Sequence, residues 1–342
     1  MCYGLGMQKY FSLFFLVCFN NCFGAIPITE DITKAKCLAQ SYDLPMIYLV
    51  TGSDWCPWSK KMLNEIFASS EFEKNIGNQF IFIKLDFPEL NLKGTKTLSE
   101  HQKLKEDFNV ESFPTLIMTD SNNNEITRIN YTQEGPEKYA DHLKSLYIEY
   151  KSLKREYENT DLKTSSMGII QTLYKRACEL QCPVLKEEIL ETGLKVDDGS
   201  YFALEKYTQL INMGNVAKKE AVDLKTKILA CKGDDNQGIR LRLALLDFQA
   251  NENNPEKAVE PIGTYIADFG KSDHDNLWRL HLIISEYFQK QGLEEKAFEH
   301  AQKSLVEAPR SIKAKVQQAL DHTFSNDEKT SVDPKTQSKE DL

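Results

Sequence analysis

Positive charge is in short supply. The 342 residues carry 42 Lys and Arg against 51 Asp and Glu, a net charge of −9. A protein that grips nucleic acid needs surplus Lys and Arg to meet the phosphates, so this balance argues against a nucleic-acid partner. Long apolar runs are missing too. After the first 25 residues none is long enough to span a bilayer, so no membrane span is expected in the mature chain. The six histidines are scattered with no metal-type spacing, and neither a phosphate-binding loop nor a nucleophile elbow is visible. No metal and no cofactor is implied. Length leaves room for two domains, each with its own core.

The N-terminus is the one apolar region. Lys9 gives a weakly positive start, residues 11–19 form a short apolar run, and Cys22-Phe23-Gly24 offers small residues where a signal peptidase inspects them. Residues 1–24 therefore read as a secretory signal, with Ala25 as the new N-terminus and Met7 as a cleaner initiator than Met1. A membrane anchor left in place is the competing reading, against which the run is shorter than a span. Export would remove Cys2, Cys18 and Cys22 and leave Cys37, Cys56, Cys178, Cys182 and Cys231. Five is odd, so an oxidising compartment leaves at least one thiol free or bound to another molecule.

Periodicity divides the mature chain. Over residues 26–150, short β-rich runs at 45–50, 80–87 and 115–118 alternate with helical patterns. Residues 120–124 form a polar turn, and 125–131 read as the returning strand of a hairpin. Trp58, Met62, Leu63, Ile66 and Phe67 recur at helical spacing opposite Lys60, Lys61 and Glu65. This is an α/β pattern. Over residues 151–322 helices dominate, with separators expected at Gly193, 197–199, Gly214 and 232–235. Gly292, Ala297, Ala301, Ser304 and Pro309 stand at offsets where tetratricopeptide repeats place small residues, and a weaker copy is centred on Ala258. The two central alanines are 39 residues apart rather than about 34, so a plain helical bundle competes with a tetratricopeptide-like one. Residues 323–342 are polar, without apolar periodicity, and read as a disordered tail.

The segment that carries chemistry is Thr51-Gly52-Ser53-Asp54-Trp55-Cys56-Pro57-Trp58-Ser59-Lys60-Lys61. A buried strand ends, the chain turns, and a helix starts almost at Cys56, with Pro57 suited to its first position. A thiol placed there faces unpaired backbone N–H groups and the positive end of the helix dipole, both of which favour thiolate. Thiolate is the nucleophile of disulfide exchange. Asp54 reads as a turn or cap residue rather than an acid catalyst. Trp55 and Trp58 are candidates for the walls of the thiol pocket, or for core.

With Val110-Glu111-Ser112-Phe113-Pro114-Thr115 further along, this segment resembles the thioredoxin superfamily. It is most similar to bacterial exported proteins with a Gly-Ser-Asp-Trp-Cys-x-Trp-Cys motif before a Lys-Lys helix. The resemblance covers residues 30–150 and says nothing about the helical half. It implies a cis Pro114, with Phe113 offering its backbone to an extended client beside Cys56, a β-type pairing. It also implies a periplasmic location, cysteine-containing protein clients and a thiol reductant as partner. Two departures stand out. Ser59 replaces the resolving cysteine, and Val50 occupies the place where many thioredoxins bury a carboxylate. A Cys-x-x-Ser site forms a mixed disulfide but cannot release itself by an internal bond, which leaves isomerisation, capture of clients, or release by an external thiol. Ser59 is a candidate hydrogen-bond donor to the thiolate. Cys178 and Cys182 stand four apart on one expected helix and admit three readings: a structural bridge, a second redox pair serving Cys56, or two buried thiols. The expected protein is a thioredoxin-like domain acting through Cys56, followed by an all-helical domain. A redox-silent binding or chaperone module on the same scaffold is the alternative.

Overall fold

The computed structural model describes residues 28–89, 95–161, 165–196, 200–231 and 236–325. The expected signal, the separators at 197–199 and 232–235, and the chain from 326 onward lie outside them. The described residues form two compact units that divide between Ile189 and Leu190.

The first unit holds five strands: β1 (Ile28–Thr29), β2 (Met46–Thr51), β3 (Ile81–Asp86), β4 (Thr115–Thr119) and β5 (Glu125–Ile129). Their order across the sheet is β1-β3-β2-β4-β5. The first three run parallel, while β4 is antiparallel to β2, and β5 returns antiparallel to β4. Every residue of the central strand β2 is buried, which explains why its sequence is continuously apolar rather than alternating. Alternate residues of β2 point to opposite faces. Met46, Tyr48 and Val50 pack with helices α1 (Ile32–Tyr42) and α4 (Thr95–Asp107) through Ala35, Ala39, Leu104 and Phe108. Phe67, Phe72, Phe82 and Tyr139 pack edge to face or tilted, with ring centroids 5.0 to 6.4 Å apart. They bring β3 together with α2 (Pro57–Met62), its continuation as a π-turn at Leu63–Phe67, α3 (Ser70–Ile76) and α5 (Pro136–Asn159).

Helix α6 (Met167–Glu179) and the start of α7 (Pro183–Val196) complete this unit. Arg176 bridges Glu149 at 2.8 Å and Glu156, tying α6 to α5.

The second unit is helical throughout its described residues. It contains α8 (Tyr201–Asn212), α9 (Lys219–Ala230), α10 (Asn236–Ala250), α11 (Pro255–Phe269), α12 (His274–Lys290), α13 (Glu294–Glu307) and α14 (Lys313–Ser325). Gly193, expected as a separator, instead lies inside α7, where its missing side chain admits the Phe202 ring: a Cβ there would lie 2.5 Å from it. Gly214 and Gly292 do turn the chain, both at φ 71°. Ala297, Ala301 and Ser304 are buried on α13, and Ala258 on α11. The Asp247 carboxylate is buried and held by the Tyr207 hydroxyl at 2.5 Å and by Lys225 at 2.7 Å.

His281 on α12 and His300 on α13 meet with their Nδ1 atoms 3.1 Å apart. One must donate to the other, so the contact needs a neutral acceptor. Burial, then His300 and Lys303, push His281 down to about 4, and burial and Lys303 lower His300 as well. The unfolded chain, with ordinary histidines near 6.5, therefore binds protons that the folded chain refuses as pH falls from 6.5 to 4. Stability of this unit should drop across that window, by about 1.4 kcal/mol per pKa unit for each histidine. Chemical denaturation at pH 7, 5.5 and 4 checks this, and His281→Gln should flatten the dependence.

Candidate functional site

The site sits where parallel strands β2 and β3 end side by side, with Thr51 opposite Asp86. From Thr51 the chain turns through Gly52-Ser53-Asp54-Trp55, and the Cys56 N–H closes the turn on the Gly52 carbonyl at 2.8 Å. Gly52 is required there, because a Cβ would lie 2.4 Å from the Trp55 indole. Cys56 is the N-cap of α2, with extended backbone angles and Pro57 next to it. Its Sγ accepts the Ser59 backbone N–H at 3.4 Å. Its thiol donates to the Phe113 carbonyl at 3.6 Å, and the Phe113–Pro114 peptide bond is cis. The nucleophile candidate and the proline loop, 57 residues apart in sequence, therefore share one site.

Ser59 plays a different part from the expected one. Its buried hydroxyl accepts the Gly52 N–H at 3.2 Å, and the group that donates to sulfur is its backbone amide. A main-chain donor in the first turn needs no side chain to reach the sulfur.

Aromatic residues flank Cys56 in the sequence and on the Phe113 loop that its thiol meets. Trp55 is 38% exposed, donates its indole N–H to the Phe87 carbonyl at 2.8 Å and stands edge-on to Phe113 at 5.4 Å. Trp58 shares a helical spacing with Met62, Ile66 and Phe67. Those three are buried, but Trp58 is 53% exposed, with Tyr131 6.3 Å away and the Lys61 ammonium 5.7 Å from its ring. Lys105 lies over both Phe87 and Phe113. Cys56 itself is 5% exposed.

Sequence reasoning passed over Asp86. It closes β3, is buried, and accepts from the Thr51 hydroxyl at 3.0 Å, the Ser53 N–H at 3.0 Å and the Ser53 hydroxyl at 2.7 Å, with Lys84 at 3.3 Å. Burial alone would raise its pKa. The Ser53 hydroxyl and amide, Lys84 and Thr51 outweigh that and hold the carboxyl below its ordinary value. The only signal for it in the sequence is an acid ending an apolar strand. Below it, the buried His101 contacts the Asp86 carbonyl through Nδ1 at 3.2 Å. Asp54 serves the turn as expected, accepting the Glu89 N–H at 3.0 Å.

Cys178 and Cys182 do not share a helix. α6 ends at Glu179, Gln181 takes a left-handed φ of 56°, and Pro183 opens α7. Cys182 is buried with its Sγ 3.8 Å from the Glu125 carbonyl. Glu125 pairs with Thr119, the end of β4 remote from Phe113, so roughly 13 Å of strand separates Cys182 from Cys56. Cys182 is therefore not within reach as a resolving thiol for Cys56. Cys37 is exposed and Cys231 partly buried, the latter in the second unit. Among the described residues no group of three or more His, Cys, Asp or Glu could hold a metal, and no helix is long and apolar enough to cross a membrane.

A mixed sheet with this strand order, an N-capping cysteine and a facing cis-proline define a thioredoxin-like domain. Residues 34–146 match the family model described as a thioredoxin-like domain. The chain is 23% identical over 301 residues to the thioredoxin-related protein DsbJ of Chlamydia pneumoniae, a match covering 85% of this chain and 86% of that protein. It is 33% identical over 101 residues to the disulfide bond reductase DsbH of the same organism, covering 30% of this chain and 61% of that protein. A solved structure of a DsbH oxidoreductase, 26% identical, covers 42% of this chain and 93% of its own length, with a TM-score of 0.34.

Burial pushes the Cys182 thiol up to about 11, although the Leu185 and Val184 amides point at its sulfur. It therefore stays protonated at pH 8. Alkylation mapped by mass spectrometry should find it modified at least about a hundredfold more slowly in the folded chain than after unfolding. Equal rates in the two states would contradict this burial.

Proposed function

We propose that this chain is an exported thiol–disulfide exchange protein of monothiol type, acting through Cys56 on cysteine-containing protein clients. The observation that carries the reading is the position of one sulfur. Cys56 Sγ receives the Ser59 amide at the start of α2 and lies 3.6 Å from the Phe113 carbonyl, beside Pro114. Helix-end amides favour thiolate, and the backbone at Phe113 offers an edge for an extended client. Trp55 and Trp58 supply apolar surface around it. The printed names of the relatives, a thioredoxin-related protein and a disulfide bond reductase, support the same class.

Cys56 thiolate attacks one sulfur of a client disulfide, a new S–S bond forms, and the other client sulfur leaves as thiolate and takes a proton from water. With Ser59 unable to act as the second nucleophile, a client thiol displaces Cys56 and the client is isomerised with no net redox change. Alternatively, a small external thiol displaces it, and a second such thiol completes reduction of the client by becoming half of an external disulfide. The sequence features of residues 1–24 support export to the periplasm. The helical region recruits or orients clients, with tetratricopeptide-like pairing as its proposed arrangement.

A redox-silent binding module is favoured by the low exposure of Cys56 together with Ser59. Two variants separate the readings. Cys56→Ala should abolish mixed disulfides with clients. Ser59→Cys, by restoring a resolving thiol, should raise insulin-disulfide reduction at least about tenfold over wild type. If wild type and Cys56→Ser refold a scrambled-disulfide substrate equally well, the exchange reading falls and the binding module stands.

A further inference from the structure

We infer that Asp86 is the positioning residue for Cys56, an inference that rests on the thiol–disulfide reading of the site. Val50 belongs to the apolar core, and the buried carboxylate near the site comes from the neighbouring strand.

Its contacts are those of a clamp. Oδ1 accepts the Thr51 hydroxyl and the Ser53 amide, each at 3.0 Å, and Oδ2 accepts the Ser53 hydroxyl at 2.7 Å. The residues that follow Asp86 continue the grip. The Phe87 amide donates to the Thr51 carbonyl at 2.8 Å, the Phe87 carbonyl accepts the Trp55 indole at 2.8 Å, and the Glu89 amide donates to Asp54 at 3.0 Å. Thr51, Ser53, Asp54 and Trp55 are all held from one side, and the next residue is Cys56. The loop under this clamp aims the sulfur at the Ser59 amide, a hydrogen bond whose length is set by where the turn ends.

A carboxylate accepting three donors in a buried site does more than fill space. Removing it leaves the Ser53 amide and two hydroxyls without a buried acceptor. The turn then relaxes, and the sulfur loses alignment with the helix-end amide that stabilises its charged form. Asp86 grips the turn through Thr51 and Ser53. It acts through Ser53 and the turn.

The test follows alkylation of Cys56 by iodoacetamide, site-mapped by mass spectrometry, across pH 5 to 10. Asp86→Ala slows the reaction at pH 7 about tenfold, equivalent to about 1.4 kcal/mol in the barrier. The midpoint of the rate profile moves to higher pH. Asp86→Asn, which keeps one acceptor oxygen for Thr51 and the Ser53 amide, recovers part of the rate. A purely structural role would lower the melting temperature and leave the midpoint in place. Should Asp86→Ala fail to fold, Asp86→Asn and Ser53→Ala decide. In folded protein each reacts at least about twofold more slowly than wild type if the clamp aligns the thiol, and equal rates overturn the inference. If wild-type Cys56 reacts no faster than in the unfolded chain, the exchange reading itself fails. If wild type is fast and every folded Asp86 and Ser53 variant equally fast, only the positioning role fails.

Discussion

Two short connections, residues 51–56 and 86–89, hold each other at the common end of β2 and β3, and the site depends on that mutual grip. Parallel pairing brings Thr51 opposite Asp86, so the carboxylate arrives beneath the turn by sheet register rather than by sequence proximity. A slip of one residue between β2 and β3 would turn Asp86 to the other face and break the clamp. Register in turn is fixed by the apolar content of the two strands: β2 is buried along its whole length, and a shift would place its side chains against the wrong layer. Packing in the core and chemistry at the rim are thus one constraint.

The sheet could be read from the sequence because its strands are short, apolar and bounded by polar turns. The expected run at 45–50 corresponds to Met46–Thr51, and the one at 80–87 to Ile81–Asp86. Cys56 and Pro57 were legible for a local reason, since an N-cap and the residue after it are neighbours in sequence. Asp86 was not, because an aspartate at the end of a strand is common and its partners lie 33 and 35 residues away. Of the helical series from Trp58 to Phe67, Trp58 is the exposed member. α2 is six residues long and passes into a π-turn at Leu63–Phe67; Trp58 lies in its first turn beside Tyr131 and Lys61, while Met62 one turn further on is buried. Met62, Ile66 and Phe67 are buried as the helical spacing predicts, and Trp58 leaves that face.

Helix stops tell a similar story. Cys178 and Cys182 have the spacing of one helical face, and Pro183 is compatible with a helix that bends or one that ends. The chain ends α6 with a left-handed Gln181, so Cys182 faces the edge of β5 instead of Cys178's side of a helix. Gly193 shows the reverse error: a glycine that looks like punctuation is a packing residue inside α7, bare because the Phe202 ring needs the space. In both places the local pattern admitted two outcomes, and tertiary contacts decided between them.

The serine at position 59 gains meaning from the same contacts. Its hydroxyl is buried and takes the Gly52 N–H, so it braces the first turn of α2 against the loop that Asp86 holds from the other side. A satisfied buried hydrogen bond of this kind contributes about 1 kcal/mol. A thiol is a poorer acceptor for that amide. The chain thus has at this position a stronger brace in place of a second nucleophile. Such an arrangement suits a protein that holds a client through one covalent bond, because the bond ends only when a thiol from outside Cys56's own helix attacks it. On the exchange reading proposed above, the lifetime of a mixed disulfide at Cys56 would be set by thiols from outside the domain rather than by an internal clock.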